Sequence, residues 1–86
     1  MQYRPFTIDE FKKFAGDVGD IITYRFKKFE NDNIRCLITA ISENLHKNGN
    51  TTYLITLGHI NFTLDDLYND CELKLDNKYT PFGVKI

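Results

Sequence analysis

The sequence predicts an α+β fold, a small antiparallel β-sheet or barrel of four to five strands. A helix near the N terminus and a short helical turn before the last strand complete the prediction. Two observations support it. Residues 34–43 and 51–57 are rich in Ile, Thr, Leu and Tyr, which suit a pleated surface. The chain also carries two helix-start signatures, in which Thr precedes an acidic residue by three positions.

Length and composition limit the classes of protein that the chain can represent. With 86 residues, 42% hydrophobic, it is expected to form a single domain, residues 1–86. A net charge of −1 argues against a dedicated duplex-DNA binder and against an acidic DNA mimic. Two cysteines without a CxxC pair, and no apolar run approaching ~18 residues, favour a cytoplasmic protein that does not enter a membrane.

The first helix is predicted at about residues 8–15. Thr7 can accept a hydrogen bond from the backbone of Glu10, whose side chain can bond back to Thr7. Phe6 and Phe11 occupy the hydrophobic positions that flank such a capping box, and Gly16 is a natural stop.

Strands are predicted at about residues 21–29, 34–43, 51–57 and 60–62. The dipeptide Asn48-Gly49 indicates a tight turn between the second and third of these. Strict alternation in the second strand assigns one face to the following residues: Ile34, Cys36, Ile38 and Ala40. Since its other face is partly apolar too, this strand is expected to be central or to wrap a small barrel.

A second, short helix is predicted at about residues 64–69, with Thr63 as its cap and Asp66 three residues on. Residues 71–75 alternate as a last strand, and Pro81 argues against a central strand beyond it. A helix, several strands, a helical turn and a last strand, in this order, resemble an SH3-like small barrel.

No catalytic or metal-binding site is expected. The metal-ligand types His46, His59, Cys36 and Cys71 lack ligand spacing. Cys36 lies in an apolar strand, where thiols are usually inert. The acidic group Asp65, Asp66, Asp70 and Glu72 is explained in part by the start of the second helix. We therefore expect a non-enzymatic protein without a cofactor.

Binding residues are expected at two places. The segment 24–29 interleaves basic and aromatic residues, as proteins that hold single-stranded nucleic acid do. Both ends of the chain are rich in Tyr, Phe and Arg, which are favoured at protein interfaces; alternatively, these ends pack on each other. The candidate binding residues are Tyr3, Arg4, Tyr24, Arg25, Lys27, Tyr79 and Phe82.

The segments Tyr3-Arg-Pro-Phe6, Leu67-Tyr68 and Tyr79-Thr-Pro-Phe-Gly-Val84 resemble, in the same order, a set of small uncharacterised bacteriophage and prophage proteins. These open with an Arg-Pro-Phe-like segment and end with a Pro-Phe-Gly or Pro-Cys-Gly segment. This chain has Asn77-Lys78 where that set tends to have a glycine.

The resemblance implies a non-enzymatic phage or mobile-element accessory protein that binds and inhibits a component of the host cytoplasm. Such a protein could be an anti-defence protein, either an anti-CRISPR-like inhibitor of a host protein or an oligomeric sponge for a nucleotide signal. A sponge would hold phosphate with cations such as Arg4, Arg25, Lys27 and Arg35. The alternative is a small β-barrel that binds single-stranded nucleic acid.

Overall fold

Eight strands and two helices form the fold in the computed structural model, which describes residues 2–86. Met1, which the single-domain prediction includes, lies outside the described residues. In chain order the elements are β1 (Tyr3–Pro5), α1 (Ile8–Phe14), β2 (Ile21–Phe26), β3 (Ile34–Leu45), β4 (Thr51–Leu57), β5 (Ile60–Thr63), α2 (Leu64–Asp70), β6 (Cys71–Leu75), β7 (Lys78–Pro81) and β8 (Gly83–Lys85).

The main sheet is open, so the prediction of an SH3-like barrel is wrong. Its six strands follow the order β5-β4-β3-β2-β6-β7, and each neighbouring pair is antiparallel. The two outer strands, β5 and β7, do not pair with each other, and this pairing is what closure would require. The α+β class with four to five strands is corrected to a mainly β fold with two short helices.

Three strands lie outside the predicted set. The last predicted strand, β6, is followed by β7 and β8, and β8 pairs with β1 as a separate two-stranded sheet. Pro81 lies in β7, an edge strand, where a residue without a backbone N–H is tolerated. The strand predicted at 21–29 ends at Phe26, because the chain turns there and the backbone N–H of Phe29 bonds to the carbonyl of Phe26 (2.9 Å).

The long strand β3 joins two parts of the sheet. Residues 34–37 pair with β2, and residues 38–45 pair with β4. The register shifts between Ile38 and Ala40, so Thr39 is an extra residue, and its hydroxyl donates to the carbonyls of Thr56 and Gly58. Because of this bulge, the predicted faces of the strand are wrong beyond Ile38. Ile41 packs against the core, although strict alternation places Ala40 on that face.

Both helices begin as predicted. Thr7 and Glu10 form a capping box at α1, and Thr63 and Asp66 form one at α2. Each helix has seven residues, and each contributes one fully buried side chain, Phe11 in α1 and Leu67 in α2. Neither helix among the described residues is long and apolar enough to cross a membrane.

One hydrophobic core joins the inner face of the sheet to both helices and both ends of the chain. Its buried members are Phe6, Phe11, Ile22, Tyr24, Ile38, Ile55, Leu57, Phe62, Leu67, Cys71, Leu73 and Phe82. Because the helices cover only this inner face, the opposite face of the sheet is left to the solvent.

Candidate protein-binding surface

The outer face of the sheet carries a line of side chains across four strands, which we call the outer sheet face. Directly paired residues in antiparallel strands point to the same side. The pairs that form this face are Ile21 with Leu37, Thr23 with Arg35, Arg25 with Glu72, and Lys74 with Tyr79. The face therefore runs from β3 to the edge strand β7.

Arg25 is held at the centre of the outer sheet face. Its Nε and Nη2 atoms lie 3.0 and 2.9 Å from Oε1 of Glu72, and its Nη1 donates to the carbonyl of Glu30 (3.1 Å). The guanidinium carbon lies 3.9 Å from the centre of the Tyr79 ring, a close cation–π contact. The Tyr79 hydroxyl donates to Oδ1 of Asn33. The side chains of Arg25 and Tyr79 are thus held in place before any partner binds.

An apolar pair lies on the same face as this cluster, beyond the intervening pair Thr23–Arg35. Ile21 and Leu37 are 55% and 44% exposed although they lie in central strands of the sheet. Two neighbouring exposed apolar side chains on one face with Arg and Tyr have the composition of a protein interface more than that of an ordinary solvated face.

Arg4 and Tyr3 lie at a different edge, near the start of α1. Arg4 donates to both carboxylate oxygens of Glu10 at 2.7 Å. This bond, together with the backbone N–H of Thr7, holds the pKa of Glu10 at about 2. The backbone carbonyl of Tyr3 accepts a hydrogen bond from the Tyr68 hydroxyl (2.8 Å). These residues therefore tie the N terminus to both helices.

Lys27 binds the C-terminal end of α2. Its Nζ donates to the carbonyl of Tyr68 (3.1 Å), near the end of the helix where the dipole favours a cation. Its ammonium also lies 5.8 Å from the centre of the Tyr68 ring. Lys27 is exposed, but it is separated from the outer sheet face.

Two predicted binding residues lie in the core. Tyr24 and Phe82 are each 1% exposed, so neither offers a surface to a partner. Burial, and to a smaller extent the nearby cysteines, raise the pKa of Tyr24 to about 12. The interleaving of residues 24–29 explains the difference, because alternation turns Tyr24 and Phe26 inward and Arg25 outward. Tyr24 and Phe26 consequently offer no stacking surface beside the cations, and Phe29 (59% exposed) is the aromatic side chain of this segment that stays open to solvent.

The thiols have the environment of structural residues. Burial raises the pKa of Cys71 to about 12 and raises that of Cys36 as well. Both cysteines are free. Residues 2–86 contain no group of three or more His, Cys, Asp or Glu side chains arranged to hold a metal ion. Of the acidic group named above, Asp66 caps α2 and Glu72 pairs with Arg25.

Of the seven predicted residues, the structure brings together only Arg25 and Tyr79 in the outer sheet face. Sequence reasoning missed Ile21, Leu37 and Glu72 as members. The alternation of β2 already turns Ile21 away from Ile22, so an apolar residue on the polar face was the available signal. The cation–π contact between Arg25 and Tyr79 could not be predicted from nearby residues in the sequence, since it depends on how the strands pair across the sheet.

Comparison of the chain with protein-family models, with curated proteins and with solved structures finds no match.

Proposed function

We propose that this chain is a non-enzymatic accessory protein of a phage or mobile element that binds a host protein through the outer sheet face and inhibits it. The observation that carries the proposal is the fixed Arg25–Tyr79–Glu72 cluster on the same face as the exposed Ile21–Leu37 pair. Arg and Tyr anchors beside apolar contacts are the usual source of binding energy at protein interfaces.

Pre-organisation supports this use of the surface. A side chain that is free in solution loses rotamer freedom when a partner immobilises it, about 0.5–1.5 kcal/mol for a long side chain. Arg25 has three hydrogen-bonded or stacked partners before binding, so most of that loss is already incurred on folding. A rigid surface of this kind suits an inhibitor, which must occupy its target without doing chemistry on it.

The two other binding functions have less support. A nucleotide sponge needs cations that are available for phosphate. Of the four cations named above, Arg4 and Arg25 are each engaged by a carboxylate and Lys27 by the carbonyl of Tyr68, so among residues 2–86 only Arg35 of this set is left without such a partner. A single-stranded nucleic acid needs exposed aromatic faces beside cations. Tyr24 is buried and one face of Tyr79 is already occupied by Arg25, so Phe29 (59% exposed) alone offers an open aromatic face in the segment 24–29, where stacking of successive bases needs several.

The link to phages rests on the resemblance of the chain ends to small phage and prophage proteins. The resembling residues Arg4, Tyr68 and Gly83 meet in space. The Tyr68 hydroxyl bonds to the β1 backbone, and Gly83 pairs with β1 at a position where a Cβ atom would lie only 2.1 Å from the carbonyl oxygen of Arg4. These residues therefore hold the two ends of this chain together, and they lie outside the outer sheet face.

The test uses affinity capture from bacterial lysate with the tagged wild-type protein and two outer-face variants, Leu37→Asp and Tyr79→Ser. We expect the wild type to enrich a specific host protein that both variants fail to retain. The purified host protein should then lose activity when the wild type is added, and keep it with either variant. Capture at low and high salt separates the binding modes, because nucleic-acid binding weakens steeply with salt.

Leu45→Asp is the matched control, because it is the same substitution as Leu37→Asp but lies outside the outer sheet face. Leu45 is exposed (72%) in the β3–β4 hairpin. It should capture the host protein as the wild type does. Equal capture by Leu37→Asp, Tyr79→Ser and the wild type would contradict the proposed surface. A preparation that retains only nucleic acid or a nucleotide would contradict the proposed partner.

A further inference from the structure

The turn between β3 and β4 contains a pair of residues with chemistry of its own. Asn48-Gly49 is the one Asn-Gly pair in the sequence, and both residues are exposed. A Cβ atom added at Gly49 would meet nothing within 4 Å, so the backbone here is open to water. Because Gly49 has no side chain, nothing shields its backbone nitrogen from the side-chain amide of Asn48.

The turn holds the Asn48 side chain folded back along the chain. The backbone N–H of Asn50 donates to Oδ1 of Asn48 (3.0 Å), which forms an Asx-turn. The ring that this hydrogen bond closes contains the backbone nitrogen of Gly49. The amide carbon Cγ of Asn48 and this nitrogen are therefore kept in one small ring, and such proximity favours a reaction between them.

The Asn50 N–H also lies where charge would develop. Attack of a nitrogen on Cγ of Asn48 places negative charge on Oδ1, and a backbone donor already in hydrogen-bond contact with Oδ1 stabilises that charge. One bond opposes the reaction, because the Gly49 N–H donates to the carbonyl of His46 (3.0 Å) and must be released first. Residues 42–52 are all exposed, so local opening of this end of the hairpin costs little.

We propose that Asn48 is a site of spontaneous deamidation, with water as the co-reactant. The Gly49 nitrogen loses its proton to solvent and forms a bond to Cγ of Asn48. The bond from Cγ to Nδ2 then breaks, and Nδ2 takes up a proton and leaves as ammonia. Water opens the resulting cyclic imide at either of its two carbonyl carbons, which gives aspartate or isoaspartate at position 48.

Either product changes the turn. A neutral amide becomes a carboxylate, which adds one negative charge to the formal net charge of −1. In isoaspartate the main chain runs through Cβ and is one carbon longer. The two backbone bonds of the turn, from His46 to the Asn50 carbonyl (2.8 Å) and from Gly49 to the His46 carbonyl, then lose their present geometry. The turn lies outside the outer sheet face, so the inference does not depend on the proposed function.

The test incubates the folded wild-type protein in mildly alkaline buffer and follows each asparagine by peptide mapping with mass spectrometry. Labelling by an isoaspartyl methyltransferase identifies isoaspartate. Asn77 is the internal control, because it also lies in a hairpin turn, between β6 and β7, but is followed by Lys78. We expect Asn48 to convert to both products at least about tenfold faster than Asn77, one order of magnitude in rate. Equal rates at the two positions, or no conversion at Asn48, would overturn the proposal.

Two variants at one position test the Asn50 N–H. Asn50→Pro removes this donor and keeps Asn48-Gly49, whereas Asn50→Ala removes the side chain and keeps the donor. We expect Asn50→Pro to slow deamidation at least about threefold, less than the ~10²–10³ of a water-excluded enzyme site because Asn48 is open to water. Asn50→Ala should react as the wild type does. Equal rates in the two variants would contradict assistance by this N–H. The comparison with Asn77 uses the wild type alone, so it holds even if proline alters the turn.

Discussion

At the scale of single residues, Glu10 connects the N terminus to the start of α1. It accepts two hydrogen bonds from Arg4 and one from the backbone N–H of Thr7. These bonds lower its pKa to about 2 from an ordinary value of 4.5. Since the folded state binds the proton less tightly than the unfolded state, the charge of Glu10 stabilises the fold above pH 4.5.

We predict that this stabilisation is lost as the pH falls from about 4.5 to about 2. Glu10→Gln should show a shallower loss over the same window, because Gln keeps the capping hydrogen bond but has no charge to titrate. Urea midpoints measured across this pH range for both proteins test the difference. Asp9→Asn is the control, since Asp9 lies in the same helical turn and has no ion pair among the described residues. A wild-type profile parallel to that of Glu10→Gln would contradict the assignment.

Gly83 is a second residue with a specific structural requirement. A Cβ atom there would lie 2.1 Å from the carbonyl oxygen of Arg4, a backbone atom that cannot move without displacing β1. We predict that Gly83→Ala destabilises the protein by about 1–3 kcal/mol, as overpacking typically does. Chemical denaturation measures this, with Lys85→Ala in the same strand as the exposed control. Equal stability of the two variants would show that β1 and β8 adapt freely.

At the scale of elements, the two helices depend on their caps. Each has only seven residues, too short to be stable from helix propensity alone. We predict that Thr7→Ala and Thr63→Ala each destabilise the protein by about 1 kcal/mol, within a range of ~0.5–2 kcal/mol. Thr51→Ala, at an exposed strand position outside any cap, should change stability by less. Urea denaturation of the three variants makes the comparison, and equal losses would contradict a capping role.

These caps also explain which elements the sequence could predict. The Thr-x-x-acid segments and the Asn48-Gly49 turn are local, so their chemistry is readable along the chain. The bulge at Thr39 is set by pairing with β4 and by hydroxyl bonds to two distant carbonyls. It has no local signal, and the strict alternation assumed for β3 therefore put Ala40 on the core side in place of Ile41.

The candidate surface was predictable only in part, for the same reason. Alternation along β2 could assign Arg25 outward and Tyr24 inward once β2 was known to have one covered face. Which face of β2 is covered depends on where the helices and the chain ends pack, and this packing is a property of the whole fold. Likewise Phe82 looked like a surface aromatic at the end of the chain, but it stacks near Phe11 because the chain ends pack together over the core.

At the scale of the whole molecule, Ile38 lies where the parts of the fold meet. It pairs with Leu57 in β4, and its backbone bonds to the loop before β2, from Gly19 N–H to its carbonyl (2.9 Å) and from its own N–H to Asp20 (2.8 Å). Its side chain is fully buried in the one core cluster that includes both helices. Loss of packing at Ile38 should therefore weaken both halves of the sheet together.

We predict that Ile38→Ala destabilises the protein by about 2–5 kcal/mol and that unfolding stays a single transition. Ile60→Ala, at a 46% exposed position on the edge strand β5, should cost about 1 kcal/mol or less. Circular dichroism reports the sheet, and tyrosine fluorescence reports side-chain packing, including that of the buried Tyr24, since the chain has five Tyr and no Trp. If the two signals gave different midpoints, the β4–β5 part and the β2–β6–β7 part would be separate cooperative units that β3 merely connects.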